Sequence, residues 1–507
     1  MIYFLIGIAI LLGGYLFHAR LLERAVKPDP ARPTPAVACA DGVDCVELPT
    51  WRVFLIQLLN IAGLGPVFGP IMGALWGPQV FLWVVFGAVL GGGVHDFLSG
   101  VMSVRRGGAG ISELIGHYLG RHARHLAAVF MLLLMVLVGT VFVKAPSELL
   151  VSILPAETVG GWLGLDDPAS ATWKQSWLWV VMAVVYVYYL LATLLPIDKI
   201  IGRIYPFFAL ALLVMVAGLA GALLVGKFSL PEFTLKNLHP GGLPAWPLIF
   251  ITVSCGAISG FHSTQSPLMA RCIKSERYMK IVFYGAMLTE GLIALIWASV
   301  AQGYYGSTEA LKAALDSVGP AGVVHTVCVE TLGAVGGVLA VLGVVVLPIT
   351  SGDTAFRVGR LIVAEYLGLS QKRVLTRYLI TVPLFAVSLL LQFVNFQVIW
   401  RYFGWANQTL AAVALWTGAV FLARRGPYWP LAALPAAFMT VMTVTYIMVA
   451  REGFSLSQTA GTIIGLAAGA LSLGGFLLAR PWKKPEIDPP PLGGPSTAEK
   501  ETENIAA

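Results

Sequence analysis

Charge is what this chain has least of. Only 12% of its 507 residues are Asp, Glu, Lys or Arg, where soluble globular proteins carry about 25%. With 57% hydrophobic residues and a mean hydropathy of +0.81, the chain cannot cover a water-facing surface, which excludes a soluble fold. Cysteine is also scarce: five residues are too few and too scattered for a disulfide framework. The stretch CADGVDC (Cys39 to Cys45) lacks the spacing of a zinc site and reads as a loop pair of reduced thiols. There is no HExxH, no Gly-x-Ser-x-Gly and no Ser/His/Asp order, which argues against an intramembrane enzyme. A pore-lining ring or repeated filter sequence is missing too, leaving a solute or ion channel as the rival reading from another class. The net charge of +7 forms no contiguous patch, so nucleic-acid binding is excluded and the cations are read as topology signals. Met1 to Phe17 has no basic residue ahead of it, and its first cations are Arg20 and Arg24, so it is read as a retained helix rather than a cleaved signal.

What the chain has is long apolar runs. A span needs about 20 apolar residues, and marking such runs predicts an all-α polytopic protein with thirteen transmembrane segments. The first is 2–18. Five follow at 51–76, 79–104, 126–150, 176–196 and 203–226, five more at 245–267, 280–302, 323–350, 374–396 and 406–423, and two at 429–450 and 458–479. The domain division this implies is an extra helix (1–22), two five-helix groups (51–226 and 245–423), two C-terminal helices (429–480) and a disordered tail (481–507). With the N-terminus outside, the pairs Arg105/Arg106, Arg121/Arg124, Arg357/Arg360 and Arg424/Arg425 fall on the cytoplasmic side together with the tail cations. Only Lys174, Lys227, Lys236, Lys312, Arg401 and Arg451 fall outside.

The first member of each group of five is peculiar. One carries NIAGLGPVFGP (Asn60 to Pro70) and the other SCGAISGFHSTQSP (Ser254 to Pro267), with Gly and Pro dense enough to break a helix near the bilayer midplane. Unwound backbone is tolerable there only if it is buried or lines a cavity. Five helices led by a broken one, repeated once, predict an inverted-repeat secondary transporter with its site between the two breaks. The ordinary alternative is that these glycines only permit close helix packing.

A half-helix N-terminus favours an anion, and the released carbonyls favour a cation. A substrate carboxylate is therefore expected on backbone N–H groups near Gly63, Gly65 and Gly260, with Asn60, Ser259, His262, Ser263 and Gln265 around it. Asp96, His262 and Glu290 are the proton-coupling candidates, because ionisable groups at such depth are costly unless they function. The alternatives are a neutral packing role for His262, and for Asp96 a contact to Arg105, Arg106 or broken backbone. Thr350, Ser351 and Asp353 offer hydroxyls and a carboxylate for a sodium-type site, or else Ser351 and Asp353 cap the following helix. Lys144 reads as a snorkelling cation paired with Glu148.

IAGLGPVFGP (Ile61 to Pro70), the stretch Val94 to Arg106, GAISGFH (Gly256 to His262), SGDTAFRVGR (Ser351 to Arg360) and FGWANQTLA (Phe403 to Ala411) together resemble the carbon starvation protein A family of bacterial inner-membrane transporters. The resemblance implies the leucine-transporter-type five-plus-five inverted repeat of the amino acid, polyamine and organocation superfamily. It also implies proton-coupled uptake of small nutrients during starvation, pyruvate for some members and peptides for others. The chain departs from the family pattern at Gln57, where many members have histidine, and at His95, where they have glutamine. It is also shorter in the stretch STQSPLMARC (Ser263 to Cys272). The expected function is thus proton-coupled uptake of a small carboxylate-bearing nutrient, with a sodium-coupled amino acid or peptide symporter as the alternative. The implied partners are a small-molecule substrate and the lipid bilayer, and no cofactor or metal is called for.

Overall fold

The computed structural model describes residues 1–40, 45–167, 169–192, 197–369 and 374–486, and all regular structure among them is helical. In lipid each backbone N–H and C=O needs a partner within the chain, so long apolar runs resolve as helices. In order these are α1 (Ile2–Val26), the bent pair α2 (Thr50–Ile61) and α3 (Gly65–Trp76), α4 (Val80–Arg105), the short α5 (Ile111–Leu119), α6 (Arg121–Ile153), α7 (Ala156–Trp162), α8 (Ala171–Ala192) and α9 (Ile197–Leu224). The second half comprises α10 (Ala245–Thr252), α11 (His262–Ala270), α12 (Glu276–Tyr305), α13 (Thr308–Val341), α14 (Leu347–Leu367), α15 (Val374–Leu391) and α16 (Phe396–Arg425). The chain closes with α17 (Pro430–Val449) and α18 (Gln458–Ala479).

Among the described residues eleven helices are long and apolar enough to cross a membrane, or twelve if α2 and α3, bent by 47°, form one span. The remaining predicted run is the one split between α10 and α11. The segment expected at 323–350 is displaced. Gly319 (φ 66°) and Gly333 (φ 68°) turn the chain inside α13, and Pro320 lacks the N–H that would continue the first turn. The rod beyond Gly333 runs on through a π turn (Leu342–Val346) into α14. Ser351 and Asp353 therefore sit inside a helix and cap nothing.

The helices divide by burial. Within their membrane-length windows α16 is 83% buried and α4 and α12 are 78% buried, whereas α8 and α15 reach 22% and α18 17%. The two broken helices lie at the centre: α11 runs along α4 and α2, α3 packs on α12, and α6 contacts both α14 and α16. Two glycines make this approach possible. Gly256 takes φ +87°, and a Cβ on Gly65 would collide with the side chain of Cys255, so only glycine lets the two breaks touch.

The tail is held for longer than the sequence predicts. Pro481–Lys483 form a short 3₁₀ turn, Trp482 stacks on Trp429, and the Glu486 side chain is 3% exposed. The rest of the expected disordered tail, after Glu486, lies outside the described residues. Cys255, Cys272 and Cys328 are buried, Cys45 is half-buried and Cys39 is exposed.

Candidate functional site

The first break is short. Ala62 N–H donates to Leu58 O (2.7 Å) and Gly63 N–H to Ile61 O (3.0 Å), so the chain satisfies its own donors across the kink. Gly63 faces Phe142 of α6 and Ser351 of α14. Asn60 is buried one turn after Gln57, whose Nε2 donates to Ser266 Oγ of α11 at 3.3 Å and ties the two broken helices together. Gly65, at the start of α3, packs on Cys255 as described above.

The second break runs from Val253 to Phe261 and depends on other helices for its hydrogen bonds. Asn407 of α16 supplies most of them. Its Oδ1 accepts from Ser259 Oγ (3.1 Å) and from Phe261 N–H (2.8 Å), and its backbone carbonyl accepts from Gly260 N–H (3.2 Å). Glu290 of α12 supplies another, with Oε1 accepting from Gly256 N–H at 3.1 Å. At the start of α11, His262, Ser263 and Thr264 N–H donate back to Ser259, Gly260 and Phe261 carbonyls. The Ser263 and Thr264 hydroxyls donate to Gly260 O (2.6 Å) and Phe261 O (2.7 Å). Gln265 Nε2 donates to Thr264 Oγ1 at 2.9 Å, and its Oε1 is buried without a partner. In this conformation the Gly260 donor expected to hold a carboxylate is taken by Asn407, and the Gly63 donor by Ile61.

A chain of buried ionisable groups is attached to the second break. Asp96 of α4 stands between two imidazoles, with Oδ1 2.7 Å from His95 Nδ1 and Oδ2 3.0 Å from His262 Nδ1. His262 Nε2 lies 3.5 Å from Glu290 Oε2, and neither of these two atoms has a hydrogen-bond partner. All four residues are at most 1% exposed. When His262 Nδ1 donates to Asp96, its Nε2 meets Glu290 Oε2 either as a protonated imidazolium or as a lone pair facing a protonated carboxyl. The carboxylate that faces His262 Nε2 also holds Gly256 in the break through its other oxygen.

Cys255 brings its Sγ within 4.8 Å of the His262 and Glu290 ligand atoms, a spacing that would suit a metal ion. The Cys255 Sγ also lies 3.5 Å from Ser259 Oγ and 3.9 Å from Asn407 Nδ2, which places it in the hydrogen-bond network of the second break.

The sodium-type candidates do not converge. Residues two apart on a helix point to opposite sides. Ser351 faces the first break with an unpartnered buried Oγ, whereas Asp353 pairs with Arg357 at 3.4 Å along its own helix. The Thr350 side chain lies outside the described residues. Asp96 does not pair with Arg105 or Arg106, which bond Glu276 and Glu486 instead. Lys144 keeps its electrostatic interaction with Glu148, and its Nζ also donates to the carbonyls of Gln392 and Val394, both at 3.2 Å. Sequence reasoning passed over two residues of the site, Cys255 and Asn407, and noted His95 only as a departure from the family pattern. Each stood inside a quoted motif, but nothing in the local sequence says that residues 96, 262, 290 and 407 meet.

Residues 1–163, 149–318 and 308–446 match the carbon starvation protein CstA family. The chain belongs to this family. The peptide transporter CstA of Bacillus subtilis is 27% identical over 93% of this chain and 96% of that protein. A Haemophilus influenzae membrane protein is 41% identical over 62% of this chain and 95% of its own length. The pyruvate/proton symporter BtsT of Escherichia coli is 26% identical over 57% of this chain and 47% of that protein. Among solved structures, the Eremococcus coleocola manganese transporter superposes with a TM-score of 0.51 at 13% identity, covering 87% of this chain and 98% of that one. That likeness shows the fold, the leucine-transporter-type five-plus-five inverted repeat with one extra helix before it and two after. This CstA-family chain is a multi-pass membrane transporter.

Proposed function

We propose that this CstA-family protein couples inward proton movement to uptake of a small carboxylate-bearing nutrient, pyruvate or a short peptide or amino acid. It would act without catalytic chemistry, in a bacterial inner membrane with its N-terminus outside and its C-terminus cytoplasmic. The observation that carries this reading is the buried chain Asp96–His262–Glu290 fastened to the second break. Charge so far from water is costly unless paired, and moving one proton across the gap between His262 and Glu290 alters that pairing. Because Glu290 accepts from Gly256 N–H, the same proton alters the grip on the break. Proton load and the shape of the second broken helix are thereby linked, as alternating access requires.

The substrate carboxylate takes the two donors that Asn407 Oδ1 holds in this conformation, Ser259 Oγ and Phe261 N–H. Gly260 N–H, which here donates to the Asn407 backbone carbonyl, stands beside them. Asn60, Gly63, Gly65 and Gln265 line the approach from the first broken helix, with Ser263 at the head of α11. Residues 51–226 and 245–423 act as the two repeats, and the first two helices of each rock against the rest. A second reading, sodium in place of the proton, draws on the unpartnered Ser351 Oγ beside Gly63.

The test is uptake of labelled pyruvate, alanine and a dipeptide by proteoliposomes under an imposed pH gradient, with and without sodium. Accumulation that collapses with a protonophore and ignores sodium supports the proposal. Accumulation that needs sodium and survives the protonophore favours the second reading, and equilibration without accumulation favours a channel.

A further inference from the structure

A cavity of about 750 Å³ opens at the arginine-rich end of the bundle, where α4 and α5 meet the first turns of α6. Arg106, His117, Arg121, Arg124 and His125 line it against one carboxylate, Glu113; Arg105, also in the wall, is committed to Glu276. The placement of these cations runs against ordinary helix electrostatics. The first turns of α6 carry Arg121, His122, Arg124 and His125 and no acid, at the end where free N–H groups already concentrate positive charge. His125 Nε2 accepts from Arg121 Nε at 3.2 Å, and its Nδ1 is buried without a hydrogen-bond partner. Burial and the guanidinium groups of Arg106 and Arg424 hold His117 below the ordinary imidazole range, although Glu486 pulls the other way.

One wall of the cavity already holds an anion. The Glu486 carboxylate accepts from Arg106 Nη2 (2.9 Å) and Tyr118 OH (2.7 Å) and lies 3.5 Å from Arg424 Nη1, while its backbone N–H donates to Arg424 O (3.1 Å). Arg106 therefore stands between two occupants, the tail carboxylate on one side and the open cavity on the other. A phosphate brings up to two charges and three acceptor oxygens, which suits Arg106, Arg121 and Arg124 better than a single carboxylate does. The volume accommodates a headgroup-sized ligand.

We infer that this cavity binds a phosphate-bearing anion and that Glu486 is its built-in competitor for Arg106. The anion is either the headgroup of an acidic phospholipid or a soluble phosphate, since both present the same oxygens. Arg106 directly follows α4, which carries His95 and Asp96, and Arg424 ends α16, which carries Asn407. Capture of the anion releases the tail from both helices.

The experiment follows the unfolding midpoint of the full-length purified protein. One arm titrates inorganic phosphate against chloride at matched ionic strength. The other compares phosphatidylcholine nanodiscs with and without phosphatidylglycerol. The expected result is saturable stabilisation, weakened about tenfold or more in affinity by the double change Arg121→Gln and Arg124→Gln and strengthened about threefold by Glu486→Gln, a gain that misfolding cannot produce. Stabilisation by phosphate assigns a soluble ligand, and stabilisation by phosphatidylglycerol alone assigns a lipid headgroup. No stabilisation beyond chloride in either arm, or an equal response from the double variant, overturns the site. Unchanged affinity in Glu486→Gln overturns the competitor role.

Discussion

The first broken helix leaves its path only from Ala62 to Leu64, and its Ala62 and Gly63 donors bond within the same helix, whereas the second is open from Val253 to Phe261 and borrows Asn407 and Glu290 to stay in place. The surroundings differ as much. Gly63 looks onto the apolar ring of Phe142 and the hydroxyl of Ser351, while the second break ends at His262, which joins Asp96 and Glu290. The two breaks thus divide the work: the first supplies a packed kink, and the second, through His262 and Gly256, meets the buried ionisable groups that α4 and α12 present. Symmetry of backbone does not bring symmetry of chemistry.

That contrast can be broken by mutation. His262→Ala is expected to reduce uptake by proteoliposomes to the level of empty vesicles at unchanged protein level, whereas Gly63→Ala retains most of it, because only the Phe142 ring must move by a few tenths of an ångström. Wild-type uptake by the first variant would remove His262 from the mechanism. Next comes Asp96→Asn, which leaves two buried imidazoles without their carboxylate. Uptake should fall roughly a hundredfold, in keeping with the cost of breaking a buried ion pair. Thermal unfolding should separate Asn407→Ala from Gln57→Ala. The first loses two bonds to the second break and costs about 2–4 kcal/mol, and the second loses one long bond and costs about 1 kcal/mol. Equal losses would mean the second break is not held from outside. Lys144→Ala should change uptake least, since its ammonium only meets two carbonyls at the outer edge of the bundle.

The sequence made the fold legible because lipid leaves few solutions. Apolar length marked the spans, and Gly/Pro density marked both breaks. It misplaced the segment at 323–350 because hydropathy records composition and not direction: the chain stays apolar through Gly333 while its path turns there. Depth alone singled out Asp96, His262 and Glu290, and the structure sets them side by side. Closeness in sequence also put Ser351 and Asp353 together, and helical rotation turns these two side chains to different neighbours. Asn407 went unremarked because its importance lies in a contact made across the chain, with its amide on a loop far away in sequence.

The most direct test of the account is a comparison of two transport modes in Glu290→Gln, using the solute that the wild type carries. Glutamine keeps an acceptor for Gly256 N–H but cannot exchange a proton with His262. Exchange of labelled for unlabelled solute at equal pH should persist near wild-type rates, while accumulation under a pH gradient should be lost. Accumulation at wild-type levels by Glu290→Gln would contradict the claim that the second break is switched by a proton held between these two side chains.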